Sequence, residues 1–157
     1  NVYRTKYAEF LKIDFPRVPF TTNYDLFIKL SKLGEELVNL HLLKSPKLDN
    51  PIAKYGGKGD DAVVKVQYNE SEKRVYINAN NYFDNVAPVV YSYYIGGYQV
   101  LNKWLKDRTG RILSLSEIAT YCKIVTALSE TLTLQSQIDQ LYPEVEKTIL
   151  EIAKGEE

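Results

Sequence analysis

The chain has no methionine, one cysteine, one histidine and one tryptophan in 157 residues. A single thiol excludes an internal disulfide and suits a reducing compartment, so the cytoplasm is the expected location. One histidine and one cysteine cannot build a zinc site, which takes several such ligands. No apolar run approaches the ~20 residues that span a bilayer, and no signal peptide opens the sequence. Net charge is zero, which argues against a strongly basic nucleic-acid binder. The missing methionine suits a fragment cut from a longer protein.

Catalytic signatures are missing as well. An amino-methyltransferase holds its target amine with an Asp/Asn/Ser-Pro-Pro-aromatic tetrapeptide, and Asn50-Pro51-Ile52 is the nearest approach. The usual restriction-nuclease core sets Asp or Glu two residues before a lysine, a spacing found nowhere in the chain. Gly56-Gly57-Lys58-Gly59 resembles a phosphate-cradling loop only loosely, because Lys58 is followed by Gly59 instead of Ser or Thr. Asp60-Asp61 offers two carboxylates to a metal, without further ligands nearby. His41 has no second histidine to work with, and no serine sits in a nucleophile elbow. The chain reads as a domain without covalent chemistry.

What is present is an ordinary globular composition, 45% hydrophobic and 25% charged, with 13 tyrosines. That supports one core of real size. Tyrosine buries a ring and keeps a polar tip, which suits a half-wet interface or a core edge. Charge is unevenly spread. Residues 1–113 carry 17 Lys and Arg against 12 Asp and Glu, a balance of +5; residues 114–157 carry 3 against 8, a balance of −5. A polyanion would meet the first part and avoid the last.

Residues 1–11 read as a short helix with Val2 or Tyr3, Tyr7, Phe10 and Leu11 on one face. Pro16 and Pro19 exclude a helix from Asp14 to Phe20. This stretch reads as an extended linker, anchored by Phe15, Val18 and Phe20, with Arg17 reaching outward. Thr22 or Asn23 caps a helix from about Tyr24 to Leu43, along which Leu26, Leu30, Leu33, Leu37 and Leu40 form a stripe. Gly34 sits inside it, at a cost of about 1 kcal/mol against alanine. Lys44 to Asp61 reads as a long loop. Ala62 to Tyr68 alternates as a strand, with Val64, Val66 and Tyr68 on one side and Lys65 and Gln67 on the other. Asn69 to Glu72 turns the chain, and Val75 to Ile77 returns. Asn78, Asn80 and Asn81 follow. Asparagine bonds adenine in a bidentate way, and it also favours turns.

Gly96-Gly97 reads as a break. A helix follows from about Tyr98 to Asp107, with Val100, Leu101, Trp104 and Leu105 inward and Gln99, Asn102, Lys103 and Lys106 outward. Ser114 with Glu117 makes a capping box for a long helix reaching about Leu141. Cys122 falls on its buried stripe and reads as a small core residue. Pro143 is expected to break it, leaving a last helix from Glu144 to Lys154 with Val145, Ile149 and Ile152 inward. The fold class is α+β, mostly a helical bundle with a small antiparallel hairpin or sheet. Residues 1–20 form a linker and 21–157 a single domain.

The run Ile95-Gly96-Gly97-Tyr98-Gln99-Val100-Leu101-Asn102-Lys103-Trp104-Leu105-Lys106-Asp107-Arg108, with Gly110-Arg111 and Leu113-Ser114, resembles the C-terminal specificity domain of type ISP restriction–modification enzymes. Tyr7 to Phe20 resembles the segment that leads into it from the methyltransferase. The resemblance implies a target-recognition domain for double-stranded DNA, in a chain that also carries an adenine methyltransferase and helicase-nuclease parts. It implies no cofactor here, with S-adenosylmethionine in the neighbouring methyltransferase. With the charge balance, it makes Lys54, Lys58, Lys65, Arg74, Lys103, Lys106, Arg108 and Arg111 candidate phosphate contacts. Asn78, Asn80, Asn81, Gln99 and Asn102 are candidate base readers. The alternative is a structural docking domain of the same enzyme that does not touch DNA.

Overall fold

The computed structural model describes residues 2–16 and 18–150. These form two compact units, one from residues 1–38 with 133–157 and one from 39–132. Helix and a small antiparallel sheet coexist, so the fold is α+β.

The first unit begins with α1, Val2–Lys6, then a turn and a 3₁₀ turn at Phe10–Lys12. The short helix is therefore broken after Lys6. Tyr3 stacks near Tyr7 and meets Tyr142 edge-on. The linker stays irregular, but Phe15 and Val18 are 87% and 75% exposed and anchor nothing within the described residues. Arg17, expected to reach outward, lies outside those residues. Phe20 accepts a backbone hydrogen bond from Leu150, and Thr21 bridges Ile149. That bridge replaces the expected last helix; Ile149 is exposed, and Ile152 lies outside the described residues.

Helix α2 spans Tyr24–His41. Asn23 caps it, its Oδ1 accepting from the Leu26 N–H at 3.1 Å. Leu26 and Leu40 are buried and Leu30, Leu33 and Leu37 half-buried, as the leucine spacing requires. A Cβ at Gly34 would meet nothing within 4 Å. His41 is exposed at the helix end.

The second unit holds a four-stranded antiparallel sheet in the order β1-β4-β3-β2. The strands are β1 Lys54–Gly56, β2 Gln67–Asn69, β3 Arg74–Tyr76 and β4 Tyr82–Asp84. The expected long loop thus contains a 3₁₀ turn at Pro46–Asp49 and an edge strand. The hairpin of β2 and β3 holds, but its first strand is shorter than the alternation predicts. The N–H groups of Val64 and Lys65 both donate to the Ile77 carbonyl. Two residues opposite one make a bulge, which shifts the facing pattern by one position. Val66 and Tyr68 stay inward, while Val63 is buried and Val64 turns out to solvent. Residues upstream of the bulge pair elsewhere: Val63 donates to Arg111, Gly110 to Val63 and Leu113 to Asp61.

Helix α3, Pro88–Tyr91, precedes a two-stranded ribbon, β5 Tyr94–Ile95 with β6 Tyr98–Gln99. The double glycine is the turn of that ribbon, with φ of +56° at Gly96 and +84° at Gly97, the signature of a tight hairpin turn. Helix α4 then runs Val100–Lys106. Helix α5 is continuous from Leu115 to Lys147, with Pro143 inside it. Near a helix end proline removes one hydrogen bond, and Thr148 ties the last turn down by donating to Glu144 and Val145 carbonyls. The inner face of the sheet packs Tyr55, Phe83 and Val75 against Leu101, Leu105, Ile118, Tyr121, Cys122 and Val125. Burial pushes the Cys122 thiol up, which fits a core residue rather than a nucleophile.

Candidate nucleic-acid interface

The asparagine turn after β3 is the best-organised polar structure in the sheet unit. Asn78 Oδ1 accepts from the backbone N–H groups of Asn80 and Asn81 at 2.9 and 2.8 Å. Its amide nitrogen donates to the carbonyls of Asp60 and Ala62. All the bonds Asn78 can make to a base are thereby taken up within the chain. Asn81 is 2% exposed. Its amide donates to Tyr55 Oη, the Asp60 carbonyl and Asp61 Oδ1, each at 3.0 Å. Tyr55 in turn donates to Asp61 at 2.8 Å. Burial and that bond to a carboxylate raise the Tyr55 phenol to about 12. Asp61 therefore organises the turn; among the described residues no group of three or more metal-ligating side chains exists.

The glycine loop lies against this turn. Gly57 has φ of +128°, and a Cβ there would sit 2.6 Å from Asn81 Cα and closer still to the Asn80 carbonyl oxygen. A Cβ on Gly59 would lie 3.4 Å from the Asn80 amide nitrogen. The glycines thus serve close packing of one loop on another. The packing sets Lys58 beside Asn80.

Beyond Asn80 a groove of about 620 Å³ opens along the outer side of β2 and β3, lined by Asp60, Val64, Lys65, Gln67, Asn69 and Tyr76 together with Asn78 to Asn80. Alternation points Lys65 into it, and the bulge turns Val64 to the same side. Gln67 faces Tyr76 across the hairpin. Tyr76 donates to Glu72 at 2.6 Å, which raises its phenol. Asn69 Oδ1 accepts from Ser71 and Glu72. Gln67, Asn69 and Tyr76 complete the site; strand alternation already places Gln67 outward, and the return strand places Tyr76 opposite it.

The remaining candidates fall into two other places. Arg74 lies over the Tyr82 ring at 4.2 Å and pairs with Asp84 at 3.4 Å on the outer face of the sheet, where Lys54 neighbours Asp84 by register. On α4, Lys103 pairs with Asp107 at 2.6 Å and lies 5.6 Å above the Tyr98 ring. Arg108 stacks on Trp104 at 3.5 Å, and both Arg108 and Arg111 donate to Glu117. Glu117 also accepts from the Ser114 N–H, and these donors hold its carboxyl below the usual range. Gln99 donates to the Tyr91 carbonyl. Asn102 is half-buried. Of the candidate cations, the side chains of Lys54, Lys58, Lys65 and Lys106 make no hydrogen bond or ion pair among the described residues. The structure therefore brings Lys65 and Asn80 to one groove, with Lys58 on the adjoining glycine loop, and leaves the α4 group apart as a second cluster.

A family model described as the Type ISP C-terminal specificity domain matches residues 1–137. A search of curated proteins gives no match. Three solved structures share the fold. One is a nuclease-deletion mutant of the Type ISP restriction-modification enzyme LlaGI with a DNA substrate mimic, at TM-score 0.60 and 21% identity over 87% of this chain. A second is the ATP-dependent Type ISP enzyme LlaBIII bound to DNA, at 0.54 and 18% over 92%. A third is a DrdV–DNA complex, at 0.61 and 19% over 86%. The chain spans 15%, 10% and 16% of those three chains respectively.

Proposed function

The chain belongs to the family of Type ISP C-terminal specificity domains, and from that membership we propose that it recognises one asymmetric sequence in double-stranded DNA. It does so for a neighbouring adenine methyltransferase in the same polypeptide, which supplies S-adenosylmethionine chemistry, and for helicase-nuclease parts where these are present. The observation that carries the reading to this surface is the groove beside the asparagine turn. It sets Lys65, whose side chain has no partner among the described residues, with the amides of Asn80 and Gln67, and the glycine loop that carries Lys58 packs against Asn80. Unpaired lysines suit phosphates, and amides beside them suit base edges. Lys54 extends the cationic surface and Lys106 belongs to the second cluster. Asn78 and Asn81 support the site by building the turn. That LlaGI, LlaBIII and DrdV are described with DNA or a DNA mimic agrees with this reading.

The test is binding by the multidomain protein to a duplex selected from a randomised pool, against a scrambled duplex, over a salt series. Lys58→Glu with Lys65→Glu should lower affinity for both duplexes and reduce the salt slope by about 0.9 per lost phosphate contact. Asn80→Ala should reduce the preference between them. Preference that survives deletion of residues 1–157 would mean that sequence is read elsewhere. The docking alternative draws on one observation: Ile13, Phe15 and Val18 are exposed beside an apolar pocket of about 360 Å³, lined by Tyr3, Tyr7, Phe10, Val18, Pro19, Tyr142 and Ile149. We assign that face of the first unit to contact with the rest of the enzyme.

A further inference from the structure

The ribbon of β5 and β6 has no role in the groove. It is paired to no other strand. Its side chains are nonetheless apolar: Tyr94 is 62% exposed, Ile95 48% and Tyr98 62%. Exposed apolar side chains at the end of a projecting element are costly unless something covers them. Ile95 and Tyr98 are directly opposed in register and so share one face of the ribbon. A Cβ on Gly96 or Gly97 would meet nothing within 4 Å, so the tip stands in open space and is no thicker than backbone. The base is held firmly. Val100 N–H donates to the Tyr93 carbonyl, and Gln99 donates to Tyr91. The ribbon is therefore a short stiff finger with an apolar end.

Charge identifies the occupant. Residues 94–117 carry Lys103, Lys106, Arg108 and Arg111 against Asp107 and Glu117, a balance of +2. Lys103 lies over the Tyr98 ring, Lys106 is unpaired, and Arg111 keeps 59% of its side chain exposed. Apolar tip and cationic base match the two chemistries of a duplex, stacked base faces inside and phosphates outside. A neutral apolar protein surface over the tip would leave the cations unmatched.

We propose that this ribbon enters the minor groove of the DNA and wedges Ile95 and Tyr98 into a base step, kinking the duplex, while the α4 lysines hold the flanking phosphates. Apolar wedges unstack a step and bend DNA, and the bend brings more protein surface into contact. The glycine turn lets the tip pass between the backbones. This inference rests on the DNA-recognition reading and adds a deforming element at a distance from the reading groove, so flexible pyrimidine–purine steps would be favoured where the tip lands.

The experiment uses the multidomain protein with its selected duplex, dye-labelled at both ends. Wild-type protein should raise energy transfer between the ends. Ile95→Ser with Tyr98→Ser should abolish that rise and weaken binding about tenfold or more, since a stacked aromatic is worth on the order of one to three kcal/mol per base. The salt slope should stay unchanged, because no cation is lost. Ile95→Ser alone, at an exposed site, gives the same readout in smaller measure if the double variant folds poorly. A double variant that binds and bends DNA as wild type does overturns the inference. If Lys58→Glu with Lys65→Glu still disrupts binding in that case, the recognition reading stands and only the wedge falls. If deletion of residues 1–157 leaves site preference intact, both fall. A variant that binds DNA normally but separates this domain from the rest of the enzyme makes the ribbon a protein contact, and the wedge is again overturned.

Discussion

Asn81 is the residue on which the site's geometry turns. It is buried and donates to three acceptors, one on β1 and two on the adjacent residues Asp60 and Asp61. Asn81→Ala leaves those acceptors short of a donor, and a loss of about 2–3 kcal/mol is expected in urea unfolding. Gly57→Ala should be comparably harmful, of the order of 1–3 kcal/mol, because the new Cβ meets the backbone of the asparagine turn at a φ that alanine resists. Both should also disturb DNA binding, since they displace Asn80 and Lys58. Glu117 gives a pH signature. Its carboxyl is lowered by the Ser114 N–H first, then by the Ser114 hydroxyl and the two arginines. A depressed acid stabilises the fold above its unfolded value of about 4.3 and loses that contribution as pH falls through its folded value. Glu117→Gln should therefore lower stability near neutrality and flatten the acid limb of the stability curve, as circular dichroism across pH would read. Ser114→Ala removes the cap from the same helix and should cost about 1 kcal/mol, and it should flatten the acid limb less than Glu117→Gln, because the Ser114 N–H and both arginines still face the carboxylate.

At the scale of elements, α2 carries a flaw that can be repaired. Gly34 sits mid-helix, and nothing lies near enough to require its missing side chain. Gly34→Ala should stabilise the chain by up to about 1 kcal/mol and raise Tm by about 2–4 °C. A lower Tm would mean that the helix needs close approach there after all. The strand before β2 shows the opposite case, a departure that serves the site. Without the bulge opposite Ile77, Lys65 would still lie on the same face as Gln67, but Val64 would be inside. The bulge ends that regularity, buries Val63 and brings the chain round to pair with 110–113.

At the scale of the whole molecule, zero net charge conceals local asymmetry. Ion pairs neutralise Arg74, Lys103, Arg108 and Arg111 in part, and of the candidate cations the four lysines Lys54, Lys58, Lys65 and Lys106 have no side-chain partner among the described residues. Exposed pairs are weak, so their cations can still exchange a carboxylate for a phosphate. The salt dependence of binding should consequently be modest, set by Lys54, Lys58, Lys65 and Lys106. Reversing these four together should remove most of the slope, at about 0.9 each. A slope that persists would place the phosphate contacts on the arginines.

The sequence by itself determined the elements that depend on neighbours along the chain. The leucine spacing of α2, the Ser114–Glu117 capping box, the inward face of α4 and the β2–β3 hairpin all follow from interactions within a few residues, which local pattern records directly. It also carried the family, through an uncommon run of residues around the double glycine. Tertiary structure decided what depends on partners far along the chain. Nothing local distinguishes Asn80, whose amide stays free, from Asn78 and Asn81, whose amides are consumed by Asp60, Asp61, Ala62 and Tyr55. Pairing of 61–63 with 110–113 competes with the strand that alternation predicts, and packing at the end of α5 offsets one proline. The ribbon at Gly96-Gly97 was visible only as a break, because two residues a side are too short for a periodic signal. Which cations face a carboxylate and which face solvent is likewise a property of the folded surface, where side chains distant in sequence first meet.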